Sequence, residues 1–351
     1  MIVDKRTHSA LFFIAGRGRS GTTLLSTMLD SHQSVVVSPE SGFILSMART
    51  YHKKKMTLAK RKSFFKKIKW DKRIFNKANT WGMNVELLKH DIVHKGKGMS
   101  YEDLCKQVIR HSSIMDDALP QIKAIGNKFP AYTLFLPRLA RLFPDSRFII
   151  LTRDYRDNVL SYQNVPYEPS KSVAFYAWRW RWYNQAILRF IKKNPNKALL
   201  ISYEDLVSTP QTTIKIICAF LGIDFDNAMM AFYTRNDKYD QHGGRIEALK
   251  GLRPINKKSL GRHEKELTPS ERGIVNYICG NVAQHIGYDL PGGSPYTLEL
   301  RQHINIFINR VWATAYTLLE ITAMLLPTSL KLLIPMVNNI VLCLRGEKGR
   351  F

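Results

Sequence analysis

A short apolar run that ends in a glycine-punctuated turn and passes into a helical pattern constrains this chain more than any other feature. Ser9 to Ala15 is apolar and of strand length, Gly16 to Leu25 reads GRGRSGTTLL, and Thr22 to Asp30 has helical spacing. A strand feeding such a turn presents backbone N–H groups and a helix N-terminus to an anion. The Gly16-to-Gly21 spacing is that of the phosphate-binding P-loop, G-x4-G-K-[S/T], but Thr22 stands where the lysine belongs. A P-loop ATPase uses that lysine to reach the β- and γ-phosphates, so triphosphate hydrolysis is disfavoured. Arg17 and Arg19 inside the turn are the cations on offer.

The rest of the chain repeats the alternation. Ser34–Val37, Lys123–Ile125, Arg147–Leu151 and Ala198–Ile201 are short, continuous and rich in Val, Ile and Phe, as buried parallel strands are. Helical stretches lie between and after them: Tyr101–His111, Tyr132–Leu142, Ser172–Lys192 and Thr212–Leu221. Ser100 before Glu102 and Asp103 predicts an N-cap, and Thr268-Pro269-Ser270-Glu271 predicts a capping box with proline at the first helical position. The pattern predicts a three-layer α/β fold of P-loop type, with a central parallel sheet flanked by helices. Its expected organisation is one domain over 1–295 carrying a basic helical insert at about 49–115, then an apolar helical extension over 296–351.

Charge is the second constraint. The 351 residues hold 53 Lys plus Arg against 28 Asp plus Glu, a formal net charge of +25, which calls for anionic partners. Residues 49–77 carry thirteen of those cations and one acid, Asp71, and so contribute +12. Leu58, Phe65, Ile68 and Phe75 recur there at helical spacing, which reads either as a basic amphipathic surface for an anionic partner or as a solvated helix docked by its aromatic face. Val311 to Leu326 and Leu330 to Leu344 are apolar, are separated by Pro327, and end in Arg345, Lys348 and Arg350. Each is shorter than a clean spanning helix. They suit an interfacial hairpin at a membrane or packing on protein. Four scattered cysteines and no leader-like segment make a cytoplasmic enzyme, peripheral on the inner face of a membrane, the expected setting. His90 and His94 have no third ligand at metal spacing, so no metal is expected.

Two ordered motifs then give a family resemblance. Arg19-Ser20-Gly21-Thr22-Thr23 resembles the 5′-phosphosulfate loop of sulfotransferases that use 3′-phosphoadenosine 5′-phosphosulfate (PAPS). RFIILTRDYRDNVLSY, Arg147 to Tyr162, is similar to that family's second signature, in which an Arg and a Ser eight positions later hold the 3′-phosphate; here they are Arg153 and Ser161. GNKFP (Gly126–Pro130) and SYEDLVSTP (Ser202–Pro210) follow the family pattern too, so the resemblance covers roughly Ser9 to Tyr288. The nearest arm is the Golgi-type and protein-tyrosine sulfotransferase group, because the chain lacks the loop lysine and nearby histidine of cytosolic members and has Glu40 after its second strand.

The resemblance implies sulfuryl transfer from PAPS to a hydroxyl acceptor, with a glycan, lipid or lipid-linked saccharide as the expected class. Glu40 is the implied general base; its plain alternative is an acid favouring a helix N-terminus. Arg19 and Lys128 are expected on the bridging and sulfuryl oxygens. Ser20, Gly21, Thr22 and Thr23 are expected on the 5′-phosphate, and Arg153 and Ser161 on the 3′-phosphate. Arg17 is assigned to the cofactor or an anionic acceptor. Arg253 is the expected cation of a late basic loop that also offers Lys257, Lys258 and Arg262. Of Trp178, Trp180 and Trp182, at least one is expected to line the acceptor cleft. The competing readings are a P-loop phosphotransferase and a non-enzymatic basic protein binding membrane or nucleic acid; no base-reading motif supports nucleic acid.

Overall fold

The structure is a computed structural model that describes residues 9–69, 83–112, 122–165, 168–234, 253–290 and 298–325. Phe75, the end of the basic insert and the tail from residue 326 lie outside the described residues. Two compact units share the chain: residues up to 44, 48–153 and 186–258 form the first, and residues 45–47, 154–185 and those from 259 on form the second.

The expected strands all form, within a residue or three of their expected ends: β1 (Ala10–Gly16), β2 (Val35–Ser38), β3 (Ala124–Lys128), β4 (Arg147–Thr152) and β5 (Ala198–Ser202). Among the described residues they make one parallel sheet in the order β2-β3-β1-β4-β5. Successive side chains leave a strand on opposite faces, so both faces of β1 are apolar and both are covered. Phe12 and Ile14 pack with Leu25, Met28 and Ile217. Phe13 stacks on Phe148 at 5.5 Å and meets Phe143 at 5.7 Å. The helices of this unit supply those layers: α1 (Thr22–Asp30), α2 (Phe43–Tyr51), α3 (Leu58–Lys69), α4 (Val85–Lys89), α5 (Tyr101–Arg110) and α6 (Leu136–Leu142). After α7 (Tyr155–Gln163) and α8 (Val173–Lys193) come α9 (Tyr203–Ser208) and α10 (Pro210–Leu221). The Ser100 capping box at α5 is present, with Asp103 as its return partner.

Two expectations are corrected locally. The helix expected over Tyr132–Leu142 is a 3-10 turn, Pro130–Phe135, followed by α6. Pro137 has no N–H for a helical bond and disfavours helical backbone before it, so the helix restarts there. In the basic insert, Leu58 lies outside the docked face and is 49% exposed. The buried stripe of α3 is Arg61, Phe64, Phe65 and Ile68. Arg61 joins it because its guanidinium donates to Met56 O at 3.0 Å and Val93 O at 3.0 Å, which satisfies a buried cation with carbonyls. Lys62, Lys66 and Lys69 remain exposed.

The second unit is helical: α7, the first part of α8, the short α11 (His263–Glu266), α12 (Pro269–Ile286) and α13 (Leu300–Leu325). α12 starts on the expected Thr268–Glu271 capping box. Of the three tryptophans of α8, Trp178 and Trp182 are half-buried. Trp180 is fully buried, and Trp178 stacks on Trp182 and donates to Ile306 O of α13 at 3.2 Å. The acid embedded in the apolar C-terminal pattern also has a partner, since Glu320 pairs with the buried guanidinium of Arg179. Burial, the largest influence, works against the Arg179 charge, but Glu320 together with the neighbouring Tyr183, Tyr162 and Tyr316 outweighs it and holds the guanidinium above its ordinary range. Glu320→Ala strands that cation, so an expected loss of about 3 kcal/mol in unfolding free energy follows. Urea denaturation measures it, and an unchanged midpoint counts against the pair anchoring α13.

Candidate active site

The first unit gathers its polar residues at the carboxyl ends of four strands, where parallel sheets place ligands. The turn after β1 is shaped by two glycines and one strained arginine. Gly16 has φ +134°, and a Cβ there would lie 2.3 Å from Leu151 O. Its N–H donates to Thr133 Oγ1 at 2.8 Å. Gly21, the residue that caps α1, has φ +86°, and a Cβ would meet the Tyr203 ring at 2.4 Å. Arg19 adopts φ 65° without being glycine, a left-handed conformation that functional turns often hold. No side chain caps the first turn of α1. Its N–H groups at Thr22 and Thr23 therefore face outward from the helix with the positive end of the helix dipole. Ser20 and Arg17 are buried in the same turn.

Arg153 follows β4, the strand beside β1. Its Nη1 donates to Arg19 O at 3.1 Å, and its guanidinium lies over the Tyr203 ring at 4.7 Å. The acids near it in sequence are engaged within the second unit. Asp154 is paired with Arg156 at 2.6 Å. Asp157 accepts from Gly261 N at 2.8 Å, His263 N at 2.9 Å and His263 Nδ1 at 3.0 Å.

Across the turn, Lys128 ends β3. Its ammonium donates to Glu40 Oε1 at 2.5 Å and to Thr23 Oγ1 at 3.3 Å. Glu40 follows β2, whose end is fixed by Asn127 Nδ2 donating to Ser38 Oγ at 2.7 Å and by Tyr132 OH donating to Ser41 O at 3.1 Å. Lys128 is buried, while the Glu40 side chain is 42% exposed. The three neighbouring strands β2, β3 and β1 therefore deliver a carboxylate, an ammonium and a hydroxyl in one hydrogen-bonded line. This is a proton acceptor open to solvent, backed by a positioned cation beside an anion-binding turn.

The expected site residues divide accordingly. Arg17, Arg19, Ser20, Gly21, Thr22, Thr23, Glu40, Lys128 and Arg153 belong to the first unit. Ser161 is buried on α7 of the second. Arg253, Lys257 and Lys258 are exposed in the first unit, and Arg262 is held by Glu266 in a two-pronged pair at 2.7 Å. Sequence reasoning missed Tyr203, which supports both Gly21 and Arg153. The SYEDLVSTP motif contained it, but a tyrosine at a helix start carries no signal for a partner 50 residues upstream.

Comparison with known proteins fits this site. The chain belongs to the sulfotransferase family, which matches residues 12–227. It is a sulfotransferase. The chain is 25% identical over 303 residues to protein-tyrosine sulfotransferase 2 of Gallus gallus, covering 82% of this chain and 70% of that one. It is 27% identical over 300 residues to protein-tyrosine sulfotransferase 1 of Danio rerio, covering 81% and 74%. Among solved structures, the sulfotransferase domain of a Synechococcus olefin synthase shares the fold with a TM-score of 0.56, 20% identity, and coverage of 82% of this chain and 98% of that domain. Family membership removes the phosphotransferase and the non-enzymatic readings.

The expected cytoplasmic setting, peripheral on an inner membrane face, is corrected. It rested on a missing leader and unpaired cysteines. The matched relatives are protein-tyrosine sulfotransferases, of the Golgi-type group that is lumenal rather than cytoplasmic. Among the described residues no helix is long and apolar enough to cross a membrane.

Proposed function

We propose that the chain sulfates a hydroxyl acceptor with Glu40 as general base. The observation that carries this reading is the Glu40–Lys128–Thr23 line at the mouth of the β1 turn. PAPS supplies an activated sulfuryl group whose bond to the 5′-phosphate breaks as the acceptor oxygen bonds to sulfur. The residues present fit it. The uncapped first turn of α1, the Ser20, Thr22 and Thr23 hydroxyls and the Arg19 cation suit the phosphosulfate. Arg153, stacked on Tyr203, suits the 3′-phosphate, and the eight-residue separation from Ser161 supports that residue as its second ligand. Arg17 adds charge at the turn, and Arg253 is the cation assigned to the late basic loop.

In this reading Glu40 takes the acceptor hydroxyl's proton as the oxygen becomes nucleophilic. Lys128 and Arg19 offset the charge that grows on the departing phosphate oxygen, in a place where they need no reorganisation. The names of the relatives favour a tyrosyl hydroxyl as acceptor, and the glycan and lipid hydroxyls expected from the sequence form the other arms of the test. The exposed lysines of α3 supply charge beyond what a nucleotide requires, which suits an anionic acceptor or surface.

Two measurements test the proposal. The product nucleotide, 3′-phosphoadenosine 5′-phosphate (PAP), is expected to raise the melting temperature more than ATP does at equal concentration; a preference for ATP contradicts the site assignment. Labelled PAPS offered with a tyrosine-containing peptide, a polysaccharide extract and a lipid extract is expected to label one hydroxyl class. Labelling of none, with PAP bound normally, sinks the hydroxyl reading.

A further inference from the structure

The first unit presents lysines that the cofactor assignment leaves unused. Lys53, Lys54 and Lys55 are exposed in the turn between α2 and α3, and Lys62, Lys66 and Lys69 are exposed along α3. The turn is pinned at both ends. His52 Nε2 donates to Leu142 O at 3.2 Å, and Met56 O accepts from the buried Arg61 at 3.0 Å. Lys53, between them, adopts φ 57° without being glycine, a strained conformation that persists where its surroundings fix it. On α3, Lys62, Lys66 and Lys69 stand four and three residues apart, so like charges share one side of the helix and oppose it. No acid lies within residues 49–69. The acids that follow are engaged locally: Glu86 with Lys89 at 3.3 Å, Asp91 with Lys95 at 3.6 Å, and Glu102 with Lys106 at 2.8 Å. A merely solvated face mixes both signs. This one gathers a single sign against the preference of its own helix, which an anionic ligand accounts for.

We infer that this face docks the protein on a bilayer surface rich in anionic lipid headgroups. Charge complementarity gives the sign of the partner, and the type of cation gives its kind. The planar fork of arginine suits single phosphate or sulfate groups held in fixed geometry, as along a nucleic acid or a sulfated chain, whereas lysine is a mobile point charge. The exposed cations of the turn and of α3 are all lysine, and the one arginine of α3 is buried on two carbonyls. Mobile charges in a cluster of this size suit a fluid layer of headgroups. The exposed side of α3 also carries the small Ala59 and Ser63 and the leucine Leu58, which is 49% exposed. Small residues let the helix come close, and the leucine gives it one apolar side chain to place among the headgroups. This docking depends neither on the acceptor nor on Glu40.

Sedimentation of the full chain with phosphatidylcholine vesicles, with and without phosphatidylserine, is the test. The wild type is expected to pellet with the mixed vesicles and to stay in solution with pure phosphatidylcholine. Roughly 1 M salt, where the screening length falls to about 3 Å, is expected to release it. The variant Lys62→Ala/Lys66→Ala/Lys69→Ala changes only exposed positions. It is expected to weaken partitioning by about 10²-fold, with the PAP-induced thermal shift unchanged. Lys53→Ala/Lys54→Ala/Lys55→Ala repeats the test without touching the helix. A wild type that ignores the mixed vesicles, or pellets equally with pure phosphatidylcholine, overturns the inference, as do variants that partition like the wild type. Binding to heparin or single-stranded DNA without binding to vesicles assigns the face to a linear polyanion and also overturns it.

Discussion

Glu40→Gln is expected to lower kcat by about 10²–10⁴-fold, the contribution of a positioned general base, while PAP affinity stays unchanged. The substitution keeps the shape of the side chain, and its carbonyl can still accept from Lys128, which now lies 2.5 Å from Glu40 Oε1. What it removes is the capacity to take a proton. Glu40 stands on the β2 side of the turn and reaches the residues assigned to phosphate only through Lys128, which the glutamine carbonyl can still hold, so nucleotide binding is expected to change little. Single-turnover transfer of labelled sulfate and calorimetric PAP titration separate the two effects. A parallel loss of PAP affinity makes Glu40 a structural residue. Turnover that survives removes it as the base.

Lys128→Met is expected to lower kcat by about 10²–10³-fold, as loss of one preorganised donor does, without lowering thermal stability. Methionine matches the length of the stem. Replacing a buried cation by an apolar group of similar volume is often neutral or stabilising, although here it leaves Glu40 without its partner. That residual cost is small because Glu40 is 42% exposed and water can take over its hydrogen bonds. The two substitutions act on groups in direct contact, so the double variant is expected to lose less than the product of the single losses. Multiplicative losses, or a melting temperature that falls with activity, contradict a shared role at the reacting oxygen.

The fold was largely legible because its strands are buried on both faces. Such strands read as continuous runs of Val, Ile and Phe, and β1, β4 and β5 need no tertiary information to be found. The helix caps at Ser100 and Thr268 were legible for a similar reason, since a capping box closes within three residues. Arg61 was not. A cation at a helix position looks solvated until two carbonyls, Met56 O and Val93 O, arrive from elsewhere in the chain. Glu320 was not legible either, because its partner Arg179 lies 141 residues upstream. Leu58 shows the converse error, where helical spacing placed a residue on the buried face that the start of α3 leaves in water.

What the sequence alone determined was local: a strand–turn–helix of the anion-binding type, a missing lysine that disfavours triphosphate hydrolysis, and an Arg153-to-Ser161 separation that resembles the family signature. These are set by backbone conformation over a few residues, which side chains dictate directly. The tertiary structure decided which strand ends meet. Only the order β2-β3-β1 brings Glu40 within 2.5 Å of a lysine 88 residues away and sets that lysine on Thr23. It also decided which face of α13 is anchored and which is left exposed. Strand neighbours and helix faces follow from how whole layers bury their apolar area, and no stretch of sequence holds that information by itself.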